Sequence, residues 1–216
     1  MLYGILSDVH SDTAGARIAI DLAAAAGARE LISLGDVFEC RVESGQVQEP
    51  VGEVSTVLDW DAGLAELLKA ASLVRGNQEE RITRGLRPDA VPALLQPFLD
   101  APLRRSVGSV VFAHGHEFAW LEIEEDHWIP AGWNSGARVL VHGHHHRNSV
   151  LALPETERDW SAAVDVTPTS GVPLALGSGL HYLINVGPAR GATPSWALYD
   201  DHRDSITLNY TSMRQR

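Results

Sequence analysis

The stretch Val141-His142-Gly143-His144-His145-His146-Arg147 constrains this chain more than any other. The apolar residues Val139-Leu140-Val141 leading into it read as a buried strand. Four imidazoles therefore stand where a strand empties into a loop. Neutral imidazole is the commonest protein ligand for metal ions, and in α/β sheets the sites gather at the carboxyl ends of strands. A histidine cluster with no role would satisfy these residues taken alone. The rest of the chain argues against that reading.

Other apolar runs end in the same way. Residues 2–6 read as a strand running into Ser7-Asp8-Val9-His10, and residues 31–34 as a strand running into Gly35-Asp36-Val37-Phe38-Glu39. Between them lies an alanine-rich helix from about Thr13 to Ala26, capped by Ser11 or Asp12 and ended by Gly27, with Ile18, Leu22 and Ala25–Ala26 as its expected buried face. This is a βαβ unit with two acid-bearing loops at one sheet edge. Residues 40–58 are irregular and read as a surface insertion. Residues 61–71 form a helix with a Leu64, Leu67, Leu68 stripe, and 72–74 a third strand ending in Arg75-Gly76-Asn77. A turn and helix cover 88–99. Residues 103–107 and 110–113 form a hairpin that ends at His114-Gly115-His116. Residues 118–137 mix Trp120, Trp128 and Trp133 with acids, as a cap or, slightly preferred, as an ordinary helix burying its indoles. Further strands are expected at 149–153, 180–186, 196–199 and 205–210, with a loop at 154–173. Nothing forces a domain boundary, so residues 1–216 read as one domain with cap insertions near 40–58 and 117–137.

Charge and cysteine content narrow the setting. Seventeen basic against 28 acidic residues give a formal charge of −11, which argues against bulk nucleic-acid binding and against anionic membrane surfaces. A phosphate-bearing substrate stays open, because bound divalent cations reverse the local sign. Cys40 is the one cysteine, so no internal disulfide forms; that fits a reducing cytoplasm. The N-terminus reads as a strand and not as a signal peptide. No apolar run is long enough to span a bilayer.

The loops together offer Asp8, His10, Asp36, Glu39, Asn77, His114, His116, His144 and His146. These are oxygen and imidazole ligands without a thiolate, a set that suits Mn²⁺, Fe²⁺, Ni²⁺ or Zn²⁺. The number exceeds what one four-coordinate zinc needs and suits two adjacent ions. A carboxylate offsets the charge of two cations better than a neutral amide, so Asp36 is the better bridge and Asn77 a terminal ligand. Spacing of two in Asp8/His10 and His144/His146 turns each pair to one side of an extended segment.

The ordered set Asp8-x-His10, Gly35-Asp36-x-x-Glu39, Gly76-Asn77, His114-Gly115-His116 and Gly143-His144-x-His146 resembles the calcineurin-like metallophosphoesterase superfamily. The ending Ile184-Asn185-Val186-Gly187-Pro188, followed by Pro194-Ser195-Trp196, resembles its small bacterial and archaeal phosphodiesterase branch. The resemblance implies a four-layer αββα sandwich of two mixed sheets flanked by helices, in the α/β (α+β) class, with the metals at one sheet edge. It implies a first metal on Asp8, His10 and His146, a second on Asn77, His114 and His144, and a bridging Asp36. The implied activity is phosphoester hydrolysis, most readily of a diester, by a hydroxide held between two divalent ions, manganese foremost. A phosphomonoesterase or nucleoside-polyphosphate hydrolase of the same fold is the alternative, and a non-catalytic scaffold the more remote one. The expected partner is a small phosphate ester, with a homo-oligomer left open.

Many members of the superfamily place a histidine after Gly-Asn as a general acid; this chain has Gln78, which cannot deliver a proton. His116 is the first candidate to replace it, ahead of His142, His145 and His181. Val186 stands where the branch usually has proline. Glu39 and Glu79 are candidates to orient ligand imidazoles. One of Arg75, Arg81, Arg147 and Arg190 is a candidate phosphate clamp.

Overall fold

The computed structural model describes residues 1–43, 52–124, 127–131 and 137–211. The strands are β1 Leu2–Leu6, β2 Glu30–Ser33, β3 Ser72–Leu73, β4 Arg104–Val107, β5 Val110–Ala113, β6 Trp120–Glu124, β7 His127–Pro130, β8 Val139–His142, β9 Ser149–Pro154, β10 Val164–Asp165, β11 Pro173–Ala175, β12 Leu180–Asn185, β13 Trp196–Asp200 and β14 Ser205–Asn209. The helices are α1 Thr13–Ala25, α2 Val54–Val57, α3 Ala62–Leu68, α4 Asn77–Gly85 and α5 Gln96–Leu99.

Two six-stranded mixed sheets pack face to face. One runs β11-β14-β13-β1-β2-β3 and the other β10-β9-β12-β8-β5-β4. Each carries a parallel triplet: β1-β2-β3 lies at one edge of the first with antiparallel strands beyond β1, and β12-β8-β5 in the second has antiparallel strands on both sides. Parallel neighbours end on the same side, so each triplet delivers its carboxyl-end loops to one edge of its sheet.

Alternation along the strands makes the layers. Tyr3 and Ile5 of β1 meet Phe112, Val139, Val141 and Ile184 between the sheets. Leu6 turns outward to the helical layer with Leu64, Leu68, Ile82 and Phe98. Leu140 and Leu183 face the far side of the second sheet with Ile129, Leu151 and Trp160. Each fully buried aliphatic or aromatic side chain contributes about 1.5–3 kcal/mol relative to exposure. The helices cover the first sheet. Over the second, the described residues supply the hairpin β6–β7 and a 3-10 turn, Trp160–Ala162, as the outer layer. No helix among the described residues is long and apolar enough to cross a membrane.

Several sequence expectations change. In α1 the buried residues are Gly15, Ala16, Ala19 and Ala23, while Ile18 and Leu22 are exposed. The helix lies so close to β1 that a Cβ on Gly4 would sit 3.0 Å from the Ala23 methyl. Only small side chains fit that contact, and the larger ones face outward. Asp12 is the cap, accepting the Gly15 N–H at 2.9 Å. The segment after β3 is the helix α4 and not a loop. Strands β6 and β7 pair antiparallel where a helix is the preferred reading of the sequence; Trp133, like residues 44–51 of the expected insertion, lies outside the described residues. The expected loop at 154–173 contains the short strand β10.

Candidate metal centre

Five loops meet at the shared edge, and their backbones hold one another. The Asp8, His10 and Ser11 N–H groups donate to the carbonyls of Gly35, Asp36 and Val37 at 3.1, 3.0 and 2.8 Å. On the second sheet, the Gly143 N–H donates to the His114 carbonyl at 3.1 Å. Two glycines permit the close approach. A Cβ on Gly76 would lie 2.2 Å from Asp36 Oδ1, and one on Gly143 would lie 1.8 Å from Ser7 Oγ.

Asp8, His10, Asp36, His144 and His146 all adopt positive φ, between 51° and 71°. Left-handed backbone is costly for residues other than glycine and collects at functional sites. The pairs spaced by two therefore converge through left-handed turns, not through the extended segments expected from their spacing.

The sequence-predicted ligands come together in two groups. Asp8, His10 and His146 offer ligand atoms within 4.8 Å of one another, as do Asp8, Asp36 and His114. His10 Nε2 lies 3.1 Å from His146 Nε2, which is 3.3 Å from Asp8 Oδ1. Asn77 Oδ1 lies 2.9 Å from His114 Nε2 and 3.0 Å from His144 Nδ1. Asp36 Oδ2 stands between the groups, 3.4 Å from His114 Nε2 and 4.0 Å from His10 Nε2. Its other oxygen, Oδ1, is occupied by the Gln78 N–H at 2.8 Å, at the start of α4. Nitrogen and oxygen atoms that converge from separate loops in this way fit divalent cations.

The surrounding residues aim these atoms. Glu39 Oε2 lies 2.5 Å from His10 Nδ1, and the Leu34 carbonyl accepts from His114 Nδ1 at 3.0 Å; each leaves Nε2 to face the centre. Glu79 does not orient an imidazole, contrary to expectation. Its buried carboxylate accepts the backbone N–H groups of Asp36 and Val37 at 2.8 Å and of Gly76 at 2.9 Å. Burial and the Asp36 charge push its carboxyl up to about 7. Burial also raises Asp8, but the His146 and His114 contacts win and hold it down at about 2. Burial pulls His114 down, and the Asp36, Asp8 and Glu79 carboxylates outweigh it, leaving the imidazole at about 9.

The candidate proton donors separate. His116 sits beside the ligand rings, 5.3 Å from His114 between centroids. Its Nε2 is 3.3 Å from Glu80 Oε1 without hydrogen-bond alignment, and both ring nitrogens are buried with no partner. His142 is buried, bonds the Gly143 carbonyl at 2.8 Å and is held down at about 3 by burial, a structural role. His181 lies at the opposite end of β12 from the site. Gln78 Oε1 accepts from the Cys40 N–H at 3.0 Å and from Arg81 at 3.1 Å, so it clasps the loop after β2. Cys40 is a buried packing residue.

Arg75 and Arg81 donate to the backbone carbonyls of Leu99 and Val42, and Arg190 lies 3.4 Å from His146 Nδ1. Asn185, seen in the sequence only as part of a turn, donates to the Gly143 carbonyl and accepts from the Gly187 N–H, both at 3.1 Å. The neighbouring Val186 N–H bonds the His142 carbonyl at 2.9 Å, a contact that proline would lack. Trp120 and Trp128 pack on the His145 ring of the histidine loop, a contact that depends on how the hairpin docks and not on any local pattern in residues 118–137.

No family model matches the chain, and no curated protein does. Among solved structures it is similar to a metallophosphoesterase from Sphaerobacter thermophilus, with a TM-score of 0.67, 22% identity, and coverage of 99% of this chain and 89% of that one. A phosphoesterase from E. coli matches with a TM-score of 0.43 and 18% identity over 93% of this chain and 89% of that one. An archaeal phosphodiesterase matches with a TM-score of 0.43 and 14% identity over 98% and 100%. The fold is that of the metallophosphoesterases.

Proposed function

We propose that this chain, with its metallophosphoesterase fold, is a metal-dependent phosphoesterase, most readily a phosphodiesterase. The observation that carries the reading is the position of Asp36 Oδ2, facing one imidazole of each ligand group while Oδ1 is tied back to α4. Asp8, His10 and His146 would hold one ion and Asn77, His114 and His144 the other, with Asp36 shared. Two divalent ions in such a site, Mn²⁺ foremost, supply an activated water and neutralise charge on the phosphoryl oxygens.

The chain's own residues then have distinct tasks. Glu39 and the Leu34 carbonyl fix the tautomers of His10 and His114. Glu79 holds the Asp36 loop in its left-handed turn. His116 gives a proton to the leaving-group oxygen, its ring packed beside His114. Gln78, clasping Cys40, takes no part in proton transfer, so esters with poor leaving groups depend on His116. The substrate is a small ester admitted past the segments 40–58 and 117–137, read as insertions of a single domain. The formal charge of −11 and the single cysteine support a cytoplasmic setting without nucleic-acid or membrane partners.

The test is hydrolysis of bis(p-nitrophenyl) phosphate by protein stripped with chelator and reloaded with Mn²⁺. The reading expects about two ions per chain, activity that depends on them, and loss of both second-ion uptake and turnover in Asp36→Ala. One ion per chain, or turnover that survives Asp36→Ala, rejects it.

A further inference from the structure

The hairpin β6–β7 reaches across the outer face of the second sheet and ends against the histidine loop. Ile129 anchors it among Leu140, Leu151, Leu183 and Trp160. From that anchor, Trp128 stacks on the His145 ring with centroids 5.2 Å apart and planes 8° from parallel. Trp120 meets the same ring edge-on at 4.5 Å and 89°. Its other contacts reach both histidine loops: the indole lies 4.9 Å from the His142 ring and donates its Nε1–H to the Gly115 carbonyl at 2.8 Å.

His145 lies between the two candidate ligands with left-handed backbone, His144 at φ 71° and His146 at φ 54°. Gly115 lies between His114 and His116. The loop conformation is unfavourable in isolation, and ligand atoms placed by it would drift if the turn relaxed. His145 does not itself point a nitrogen at the ion groups through any hydrogen bond; its Nε2 is buried without a partner. Packing against indoles holds the ring, and offset-stacked and edge-on aromatic contacts are the geometries that attract.

We infer that Trp120 and Trp128 are positioning residues that grip His145 and so preset His144 and His146 for divalent cations, making the hairpin a determinant of metal affinity. The inference rests on the metal reading above. It assigns a task to a segment that carries no ligand, and it explains why a non-ligand histidine sits between two ligands. Trp120 adds a tie between the two histidine loops, so the grip covers ligands of both groups.

The experiment is Mn²⁺ titration calorimetry on chelator-stripped wild type, Trp128→Ala and Trp128→Phe, with circular dichroism of each metal-free protein. Trp128→Ala should stay folded and bind Mn²⁺ at least about tenfold more weakly, the scale seen when groups that orient ligands are removed. Trp128→Phe keeps a stacking ring and should recover most of the loss. Wild-type affinity in Trp128→Ala overturns the inference, as does a Phe variant as weak as the Ala variant. Should Trp128→Ala not fold, His145→Ala and His145→Phe decide the question by the same two criteria, since they leave the hairpin intact. Wild type that takes up no Mn²⁺ would instead refute the metal reading, and the inference with it.

Discussion

Glu79 Oε2 accepts the backbone N–H of Asp36 at 2.8 Å, so a carboxylate that touches no candidate metal fixes the residue proposed to bridge two. The same side chain takes the N–H groups of Val37 and Gly76. Glu79→Ala leaves the buried Asp36, Val37 and Gly76 donors unsatisfied, besides the longer Phe38 contact at 3.5 Å, each of the first three costing about 1–3 kcal/mol. The variant should lose at least about 3 kcal/mol in urea unfolding with chelator present. Glu79→Gln, with one acceptor oxygen, should lose less. An alanine variant as stable as wild type would remove Glu79 from this role.

His116 is the proposed proton source, and its contribution should scale with the leaving group. With p-nitrophenyl esters the departing phenolate needs little help, so His116→Ala should change kcat little. With alkyl diesters a general acid contributes about 10²–10⁴-fold, and the variant should lose at least about 10²-fold. A uniform loss across leaving groups would show instead that His116 shapes the site without donating.

The strands β1, β2, β8 and β12 were legible as short apolar runs that end in chemistry-bearing residues, while their division into two packed sheets was legible only through the family resemblance. The seven candidate ligands were legible as residues that follow such runs, and the structure brings their side chains together at one edge. What misled was size and context. In α1, hydrophobicity pointed to Ile18 and Leu22, but the distance to β1 selects small side chains, and hydropathy carries no information on distance. The hairpin β6–β7 mixes tryptophans and acids with no clean period, and only its docking through Ile129 decides its form. Glu79 was noticed, but besides the nearby Gly76 its partners are the backbone N–H groups of Asp36 and Val37, about forty residues away, which no side-chain pattern marks.

Metal uptake should release a proton from His114. Its imidazole is held at about 9 in the metal-free chain, with burial outweighed by Asp36, Asp8 and Glu79. A raised value means that the folded chain gains stability from this group fully below about 6.5, and that the gain is lost as pH rises through about 9. Ligation needs the neutral ring. Between pH 7 and 9, Mn²⁺ affinity should therefore rise by up to about tenfold per unit, while metal-free stability falls. Calorimetry in buffers of different ionisation enthalpy counts the protons released. Affinity that is flat over this range would mean that His114 is already neutral.

Gly143 is held by space and not by backbone conformation, since its φ is not among the positive ones. A methyl group there would lie 1.8 Å from Ser7 Oγ, 2.7 Å from Ser7 Cβ and 2.4 Å from Asp8 Oδ2. Ser7 and Asp8 are fully buried, so neither can swing away. Gly143→Ala should push the two ligand loops apart, weaken Mn²⁺ binding and cost about 1–3 kcal/mol, the usual penalty for overpacking. If the clash is the cause, Ser7→Gly removes most of it, and the Gly143→Ala penalty should shrink by about 1 kcal/mol or more in that background. The residual penalty would come from Asp8, whose carboxylate stays in place. A strictly additive double-mutant cycle would mean that the cost of Gly143→Ala arises away from Ser7, and that the close approach of these loops is not what glycine is there to permit.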